Sequence, residues 1–185
     1  MTEPSQDARI EIWRYTHARS SLVEAREAAK MLIANRSLSD EIQRAVVYQI
    51  VVAYARPFTQ SQVTKSKRIV SLPHEVVPTK FRDLHNEYIQ MRDKAFGHKD
   101  ALAFPSAPVN RVIVCVDATG FELHTASPYT MLDAGLLDTV KLCDLLIGYC
   151  MAKIEKYRSH FVGIGKGVYV LSLEANPKEW LLRKQ

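Results

Sequence analysis

An arginine and a histidine stand six residues apart near the end of a predicted helix, and both suit phosphate chemistry. Arg92 carries a planar guanidinium that can bind a phosphate through two hydrogen bonds and stabilise the charge that develops on it. His98 carries an imidazole, whose unperturbed pKa of about 6.5 lets it accept or donate a proton at neutral pH. The pair therefore suits metal-free cleavage of RNA, in which the histidine moves the proton of the 2′-hydroxyl or of the leaving group.

A helix that starts near Pro78 and Thr79 positions this pair. Its apolar face consists of Phe81, Leu84, Tyr88, Met91 and Ala95. On a regular helix of about 100° per residue, Arg92 and His98 flank the two edges of that face. Both side chains are then directed towards the bundle interior or a helical partner. Gly97 weakens the helix immediately before the histidine, so we expect His98 on a kinked or unwinding last turn.

Several neighbours are further candidates for the same site. Asp93 follows the arginine and can orient its guanidinium, and Tyr88, one turn earlier, can add a hydroxyl. The candidate RNA contacts are Tyr88, Lys94, Lys99, Lys65, Lys67 and Arg68. The last three form a basic cluster in a loop over residues 58–78, where Pro73 and Pro78 are expected to prevent regular structure.

The spacing of arginine and histidine is weak evidence by itself. The chain has thirteen arginines and six histidines, and Arg68 and His74 show the same kind of spacing. That second match lies in the proline-containing loop, so the helical context distinguishes the two. A structural interpretation also stays open, with Arg92 in a helix-end ion pair with Asp93, Asp100 or Glu87 and the histidine capping the last carbonyls. For His85 we expect a structural hydrogen-bonding role.

Composition restricts the class of protein. The 185 residues carry a net charge of +5, which favours an anionic partner such as RNA, and their number favours a single domain over residues 1–185. No apolar run approaches the ~20 residues that span a bilayer, and the polar N-terminus lacks a signal peptide. Three widely spaced cysteines predict neither disulfides nor a zinc site, and no histidine spacing is typical of metal ligation. We therefore expect a cytoplasmic protein without metal, cofactor or membrane partner.

Apolar spacing predicts an all-α fold, an up-down helical bundle of four helices. The first helix covers about residues 5–35, and the second follows a Ser39 cap and stops at Arg56 and Pro57. The fourth, about residues 130–159, carries a seam of Leu136, Val140, Cys143, Ile147, Cys150 and Ile154. A small β-hairpin insertion is predicted at about residues 109–127, because β-rich residues flank the turn sequence Asp117-Ala-Thr-Gly120.

The run Arg92-Asp-Lys-Ala-Phe-Gly-His98-Lys-Asp100 resembles the signature of HEPN-domain proteins, an arginine and a polar residue followed by histidine. Tyr54-Ala-Arg-Pro-Phe-Thr59 and Leu84-His85 resemble its context in the abortive-infection-associated branch. The resemblance implies a helical bundle that forms a homodimer, with two Arg/His pairs in one cleft, and a metal-independent endoribonuclease of toxin–antitoxin or phage-defence type. By matched position Arg92 would bind phosphate, His98 would be catalytic, and Asp93 would be the polar residue after the arginine.

Two alternatives to an endoribonuclease stay open. Some HEPN proteins keep the fold without cleaving RNA, so the second interpretation, after the endoribonuclease, is a non-catalytic module that binds a nucleotide or a protein partner. An antitoxin or a regulatory protein is a further partner that the resemblance implies. The third interpretation is a structural or regulatory helical protein in which the motif is accidental. The β-rich insertion departs from the minimal bundle.

Overall fold

A computed structural model describes residues 3–59, 61–62, 69–96, 112–117, 120–125, 135–173 and 180–183. Its helices are α1 (Gln6–Ala34), α2 (Asp40–Ala55), α3 (Arg82–Gln90) and α4 (Leu136–Glu155). These four helices form the bundle, which confirms the predicted all-α character and helical bundle. The first two helices begin and end within a residue of their predicted limits.

Local sequence explains where α1 and α2 begin and end. The hydroxyl oxygen of Ser5 accepts a hydrogen bond of 3.2 Å from the backbone amide of Ala8, which caps the start of α1. Ser39 occupies the corresponding N-cap position of α2. Because Pro57 cannot continue the helix, α2 ends at Ala55 and a single 3₁₀ turn, Arg56–Phe58, follows.

Helix α1 packs against both α2 and α4 and runs antiparallel to each. Towards α4, the rings of Tyr15 and Tyr149 lie 6.0 Å apart, and Arg26 is 2.9 Å from Asp144. Residues later in α1 contact residues earlier in α4, so the two helices point in opposite directions. Helices α1 and α2 are joined by a short turn, and an ion pair of 3.3 Å joins Arg56, just past the end of α2, back to α1.

The buried face of α4 differs from the predicted seam. Leu136, Cys143 and Cys150 are buried as expected, whereas Val140, Ile147 and Ile154 are only half-buried. The buried set instead includes Thr139, Leu142 and Leu146. The physical reason is that α4 contacts α1 on one side and Tyr88 of α3 on the other, so its covered face is wider than one seam.

The limits predicted for the fourth helix also need correction. Regular α-helix in α4 ends at Glu155 rather than near residue 159, and a 3₁₀ turn, Arg158–Phe161, follows. Gly163 then has a φ of 85°, a conformation that glycine adopts without strain and that turns the chain out of the helix. The segment preceding α4, residues 126–134, lies outside the described residues.

Among the residues that the structure describes, three antiparallel strand pairs accompany the helices. Strands β3 (Val112–Asp117) and β4 (Gly120–Thr125) pair from Val112 opposite Thr125 to Asp117 opposite Gly120, within the predicted insertion. Strands β1 (Ser61–Gln62) and β2 (Ile69–Val70) pair inside the segment predicted to lack regular structure, residues 58–78, which also contains a 3₁₀ turn at His74–Val76. That prediction was wrong, because prolines exclude helix and sheet interior but permit short edge strands and 3₁₀ turns. A further 3₁₀ turn, Thr79–Phe81, leads into α3 where the third helix was predicted to start.

The third pair joins β5 (Tyr169–Leu171) to β6 (Leu181–Arg183) near the end of the chain. The backbone amide of Ser172 extends this pairing by donating to the carbonyl of Trp180 at 2.8 Å. In the described part of the chain, every helix is too short or too polar to cross a membrane.

Candidate functional site

Arg92 lies where α3 changes its geometry. The α-helix ends at Gln90 and continues without a break into a π-helical turn, Met91–Phe96. Such turns are rare and occur frequently at functional sites, because the wider turn redirects the side chains that follow. The sequence predicted a regular helix here, so the angles expected for Arg92 and the residues after it do not apply. His98 follows two residues beyond this turn and is outside the described residues.

The guanidinium of Arg92 is fixed by two neighbours. Its Nε donates to a carboxylate oxygen of Asp93 at 2.5 Å, and Nη2 contacts the same oxygen. Its Nη1 donates to the hydroxyl oxygen of Thr59. The arginine side chain is 32% exposed, so it is held in place while part of it still faces solvent. The pair with Asp93 is also what the structural interpretation of Arg92 predicts.

Thr59 is a positioning residue that the sequence did not reveal. It follows the 3₁₀ turn that ends α2, and its hydroxyl donates to the carbonyl of Ala55 at 3.1 Å. Because that bond uses the only hydroxyl proton, the oxygen is left as an acceptor for Arg92. The end of α2 therefore orients a cation on the turn after α3, across 33 residues of sequence.

Tyr88 is placed in the core, although the sequence proposed it as an RNA contact. Its side chain is 0% exposed, and its hydroxyl bonds to the hydroxyl of Thr139 on α4. Thr139 in turn donates to the carbonyl of Gly135 at 2.8 Å, so Tyr88 is the donor of the pair. Burial raises the pKa of Tyr88 well above its usual range, which keeps the phenol neutral. Tyr88 therefore joins α3 to α4 and supports the turn that carries Arg92.

A chain of hydrogen bonds runs from the surface into the core beside Tyr88. Exposed His74 places Nδ1 2.7 Å from Nε2 of His85, and Nδ1 of His85 is 2.9 Å from the hydroxyl of Tyr54. The ring of Phe58 lies 4.6 Å from that of His85, edge to face. His85 is 2% exposed, and the hydrogen-bonding role expected for it is confirmed.

Burial determines the protonation of this chain. It lowers the pKa of His85 to about 4, and the neighbouring His74 imidazole contributes to this lowering. Burial also raises the pKa of Tyr54 far above its usual range. Both groups are therefore neutral at pH 7, and His85 is a structural imidazole rather than a base exposed to substrate.

One half-buried carboxyl lies on the same helix as these groups. Burial raises the pKa of Glu87, because removal from water disfavours its charged form. Arg92 pairs with Asp93 and not with Glu87, although the sequence left all three acidic neighbours open. Asp100, the remaining alternative, lies outside the described residues.

The other predicted site residues are not described in side-chain detail. His98, Lys99, Lys65, Lys67 and Arg68 lie outside the described residues, and for Lys94 the structure gives the backbone alone. The site that can be built therefore consists of Arg92, Asp93 and Thr59 above the buried Tyr88. Among the described side chains, no group of three histidines, cysteines or acidic residues is arranged to hold a metal ion.

Comparison with known proteins finds no relative of this chain. No family model matches the chain, and neither a curated protein nor a solved structure matches it significantly. The geometry and the residues of the chain itself therefore carry the functional argument.

Proposed function

We propose that the chain is a metal-independent endoribonuclease in which Arg92 binds the scissile phosphate and His98 moves the proton. The observation that carries the proposal is the half-exposed guanidinium held by Thr59 and Asp93 on a π-helical turn six residues before a histidine. A guanidinium fixed before substrate arrives loses less entropy on binding a phosphate, and it stabilises the charge that grows during phosphoryl transfer.

The reaction assigned to this site is the attack of a ribose 2′-hydroxyl on the adjacent phosphorus. The imidazole of His98 takes the proton of the 2′-hydroxyl, and the imidazolium then supplies a proton to the leaving 5′-oxygen, while Arg92 stabilises the phosphorane charge. The bond from phosphorus to the 5′-oxygen breaks, and a 2′,3′-cyclic phosphate is left. Asp93 keeps the guanidinium oriented on one edge, so phosphate takes the remaining donors or replaces Asp93.

A HEPN-like homodimer is part of the proposal, since the resemblance implies that two Arg/His pairs meet in one cleft. Support comes from α4, which leaves three large apolar side chains exposed: Leu137 at 62%, Leu145 at 49% and Met151 at 48%. Light scattering on wild type and Leu145→Glu tests this part: we expect a dimer that the variant converts to monomer. A monomeric wild-type chain at micromolar concentration would contradict it.

The activity is tested by incubating purified protein with mixed-sequence RNA in EDTA and analysing the product ends. We expect 2′,3′-cyclic phosphate or 3′-phosphate on one fragment and 5′-hydroxyl on the other. Arg92→Ala should lower the rate by about 10²–10³, the usual cost of one charge-stabilising donor. Arg92→Lys keeps the charge without the planar fork and should recover only part. Products with 3′-hydroxyl and 5′-phosphate ends would overturn the mechanism.

Thr59 offers a second, more local test. Thr59→Val keeps the side-chain shape but removes the acceptor that holds Arg92, so we expect a roughly tenfold slower reaction, typical of losing a charge-assisted hydrogen bond. Thr59→Ser keeps the hydroxyl and should retain most of the activity. Equal loss in both variants would show that Thr59 acts through packing rather than through Arg92.

A non-catalytic HEPN-like module that binds a nucleotide, alone or within RNA, or a protein partner is the second candidate. The ion pair with Asp93, in which Nε and Nη2 both contact one carboxylate oxygen, favours it, because a cleaving enzyme must divide the guanidinium between that carboxylate and the substrate. RNA binding that is weakened by Arg92→Ala, without cleavage by wild type in the presence or absence of EDTA, would favour this candidate. A toxin or phage-defence role and an antitoxin partner belong to the endoribonuclease proposal alone.

A further inference from the structure

The residues that follow α4 lie outside the helical core. Residues 156–173 and 180–183 contain a 3₁₀ turn, a loop with three glycines and the paired strands β5 and β6, and we call them the β5–β6 segment. Cys150 on α4 is buried, whereas every residue from 151 to 173 is exposed or half-buried. This part of the segment therefore contributes no buried side chain to the bundle.

Three valines of the β5–β6 segment are highly exposed. Val162 is 67% exposed and Val168 is 63% exposed, the two highest values among the large apolar side chains that the structure describes, and Val170 is 51% exposed. Exposure alternates along the chain here, because Tyr169 and Leu171 are half-buried. In an extended chain, side chains two residues apart point to the same face, so Val168 and Val170 share the open face of β5.

The same segment carries positive charge and no negative charge. Residues 156–173 include Lys156, Arg158 and Lys166, all exposed, and no aspartate or glutamate. Residues 156–185 contain six of the 25 basic residues and two of the 20 acidic ones, so they supply four of the five net positive charges. The charge that favours an anionic partner is therefore concentrated where the valines are exposed.

Cations lie close to the two most exposed valines. Lys166 precedes Val168 by two residues, so their Cα atoms are at most about 7 Å apart. Arg158 begins the 3₁₀ turn that ends just before Val162, and four residues of such a turn span about 8 Å. Arg158 pairs with Glu155 at 2.8 Å, but its side chain is 77% exposed, and exposed pairs of this kind contribute little stability.

Aromatic rings join the 3₁₀ turn to the strands. The ring of Phe161 lies 5.6 Å from that of Trp180, and the carbonyl of Trp180 accepts the hydrogen bond that extends the β5–β6 pairing. The hydroxyl of Tyr169 donates to the carbonyl of Gly165 at 2.9 Å, which closes the loop between the turn and β5. All three rings are half-buried, and tryptophan and tyrosine are enriched where proteins meet the headgroup level of a bilayer.

We infer that the β5–β6 segment binds the surface of an anionic lipid bilayer. Its three exposed valines and the ring of Trp180 enter the headgroup region, and its lysine and arginine side chains contact the lipid phosphates. Binding at a bilayer surface combines burial of apolar area with attraction between cations and anionic lipids, and both properties coincide in this segment. RNA would attract the cations, but it offers aliphatic side chains no apolar phase, so the exposed valines favour lipid.

Binding at a bilayer surface requires no spanning segment. The sequence-based expectation of no membrane partner rested on the absence of an apolar run long enough to cross a bilayer, which a surface-bound segment does not need. Lipid binding also goes beyond the proposed RNA cleavage, because it involves none of Arg92, Asp93 and Thr59. Vesicle binding and RNA cleavage can therefore succeed or fail independently.

Co-sedimentation of the full chain with vesicles tests the binding. The probes are vesicles of phosphatidylcholine alone and vesicles of phosphatidylcholine mixed with an equal amount of phosphatidylglycerol. We expect binding to the anionic vesicles to be roughly tenfold tighter or more, and to weaken between ~0.1 M and ~0.5 M salt, because salt screens the attraction. Equal binding to both compositions, or binding to neither, would overturn the proposal.

Charge variants locate the binding. Arg158→Gln should weaken binding to anionic vesicles roughly fivefold, the usual contribution of one cation near such a surface. Lys141→Gln is the matched control with unchanged affinity, because Lys141 is likewise exposed and pairs with an acid three residues away, but lies near the start of α4. Equal weakening by the two variants would indicate attraction by net charge alone and would contradict the assignment to the β5–β6 segment.

A valine variant tests the apolar contribution separately. Val168→Thr replaces a methyl group by a hydroxyl of similar size on an exposed side chain, and it should weaken vesicle binding roughly fivefold or more. Ile42→Thr, at a side chain that is 49% exposed on α2, is the control with unchanged affinity. Because RNA or charge attraction alone would leave Val168→Thr without effect, an unaltered affinity of this variant would contradict insertion.

Fluorescence measures insertion directly. The chain has two tryptophans, so Trp13→Phe leaves Trp180 as the only one. Anionic vesicles should shift its emission to shorter wavelength and reduce its quenching by acrylamide, because the ring enters the headgroup region. Emission and quenching that the vesicles leave unchanged would overturn the proposal. RNA binding that Arg158→Gln weakens, without any vesicle binding, would overturn it as well and assign the segment to RNA.

Discussion

Acidification should destabilise the fold through one buried imidazole, His85. This side chain is 2% exposed and accepts or donates hydrogen bonds to Tyr54 and His74 in its neutral form. Burial, with a smaller contribution from the His74 imidazole, lowers its pKa from 6.5 to about 4. In the unfolded chain the same imidazole becomes protonated as the pH falls through about 6.5. Between these two values the unfolded state binds the extra proton, so the free energy of unfolding falls as the pH falls.

The magnitude follows from the two pKa values. A difference of about 2.5 units corresponds to about 3 kcal/mol when titration is complete, since one unit is about 1.4 kcal/mol. Between about pH 7 and pH 4.5 the share of His85 is about 2 kcal/mol. The contribution of neutral His85 to stability is complete above the unfolded pKa of 6.5 and declines as the pH falls below it. Below the folded pKa of about 4, His85 causes no further loss. A loss of this size is a substantial part of the 5–15 kcal/mol typical of a domain.

Urea unfolding followed by circular dichroism measures the effect, with His85→Gln as the comparison. The amide keeps hydrogen-bonding capacity but has no proton to gain in this range. Titrating groups that do not contact His85, including Glu87 with its raised pKa, are present in both proteins and cancel in the difference. We expect wild type to lose about 2 kcal/mol more than the variant from about pH 7 to pH 4.5. Parallel loss in the two proteins would refute the assignment of a neutral, buried His85.

Three further predictions concern the core. Burial raises the pKa of Cys143 to about 12 and that of Cys150 to about 11, so both thiols should react with a maleimide only after unfolding. Peptide mass spectrometry separates them from Cys115, and labelling of Cys143 or Cys150 in the native protein at neutral pH would contradict this. Thr139→Val should cost about 1–3 kcal/mol in urea unfolding, because it leaves the hydroxyl of buried Tyr88 without its acceptor, whereas Thr139→Ser should restore most of the loss. Leu146→Ala should cost about 2–5 kcal/mol by opening a cavity, and exposed Ile42→Ala less than 1 kcal/mol.

Sequence patterns predicted the elements that depend on neighbours along the chain. The start of α1 follows from the Ser5 cap and the end of α2 from Pro57, and both residues act within one turn of the helix end. Ser39 precedes α2 as predicted, without a side-chain capping hydrogen bond. The hairpin at β3 and β4 follows from turn residues between β-rich segments. Burial of Leu136, Cys143 and Cys150 on α4 follows from the alternating four-and-three spacing of apolar residues. Each of these features is set by local sequence, so one chain suffices to predict it.

Sequence patterns did not predict the features that depend on contacts between residues far apart in the sequence. The hydrogen bond from Arg92 to Thr59 spans 33 residues, and that from Tyr88 to Thr139 spans 51. No local pattern predicts the contact between Arg92 and Thr59. The bond between Tyr88 and Thr139 places Tyr88, a candidate RNA contact, in the core. The sequence drew attention to His74 only through its spacing from Arg68, a match that was rejected because it lies in a loop. In the structure, Nδ1 of His74 lies 2.7 Å from Nε2 of His85. The π-helical turn at Met91–Phe96 likewise has no pattern that distinguishes it from a regular helix.

The most direct test of the Arg92–His98 site is the initial rate of RNA cleavage in EDTA by wild type and by His98→Ala. His160→Ala, which changes another histidine in the 3₁₀ turn after α4, is the matched control. The proposed mechanism predicts that EDTA leaves the wild-type rate unchanged, that His160→Ala retains it, and that His98→Ala lowers it by about 10²–10⁴, the usual contribution of general acid–base catalysis. Cleavage by His98→Ala at the wild-type rate, or wild-type cleavage that EDTA abolishes, would contradict it.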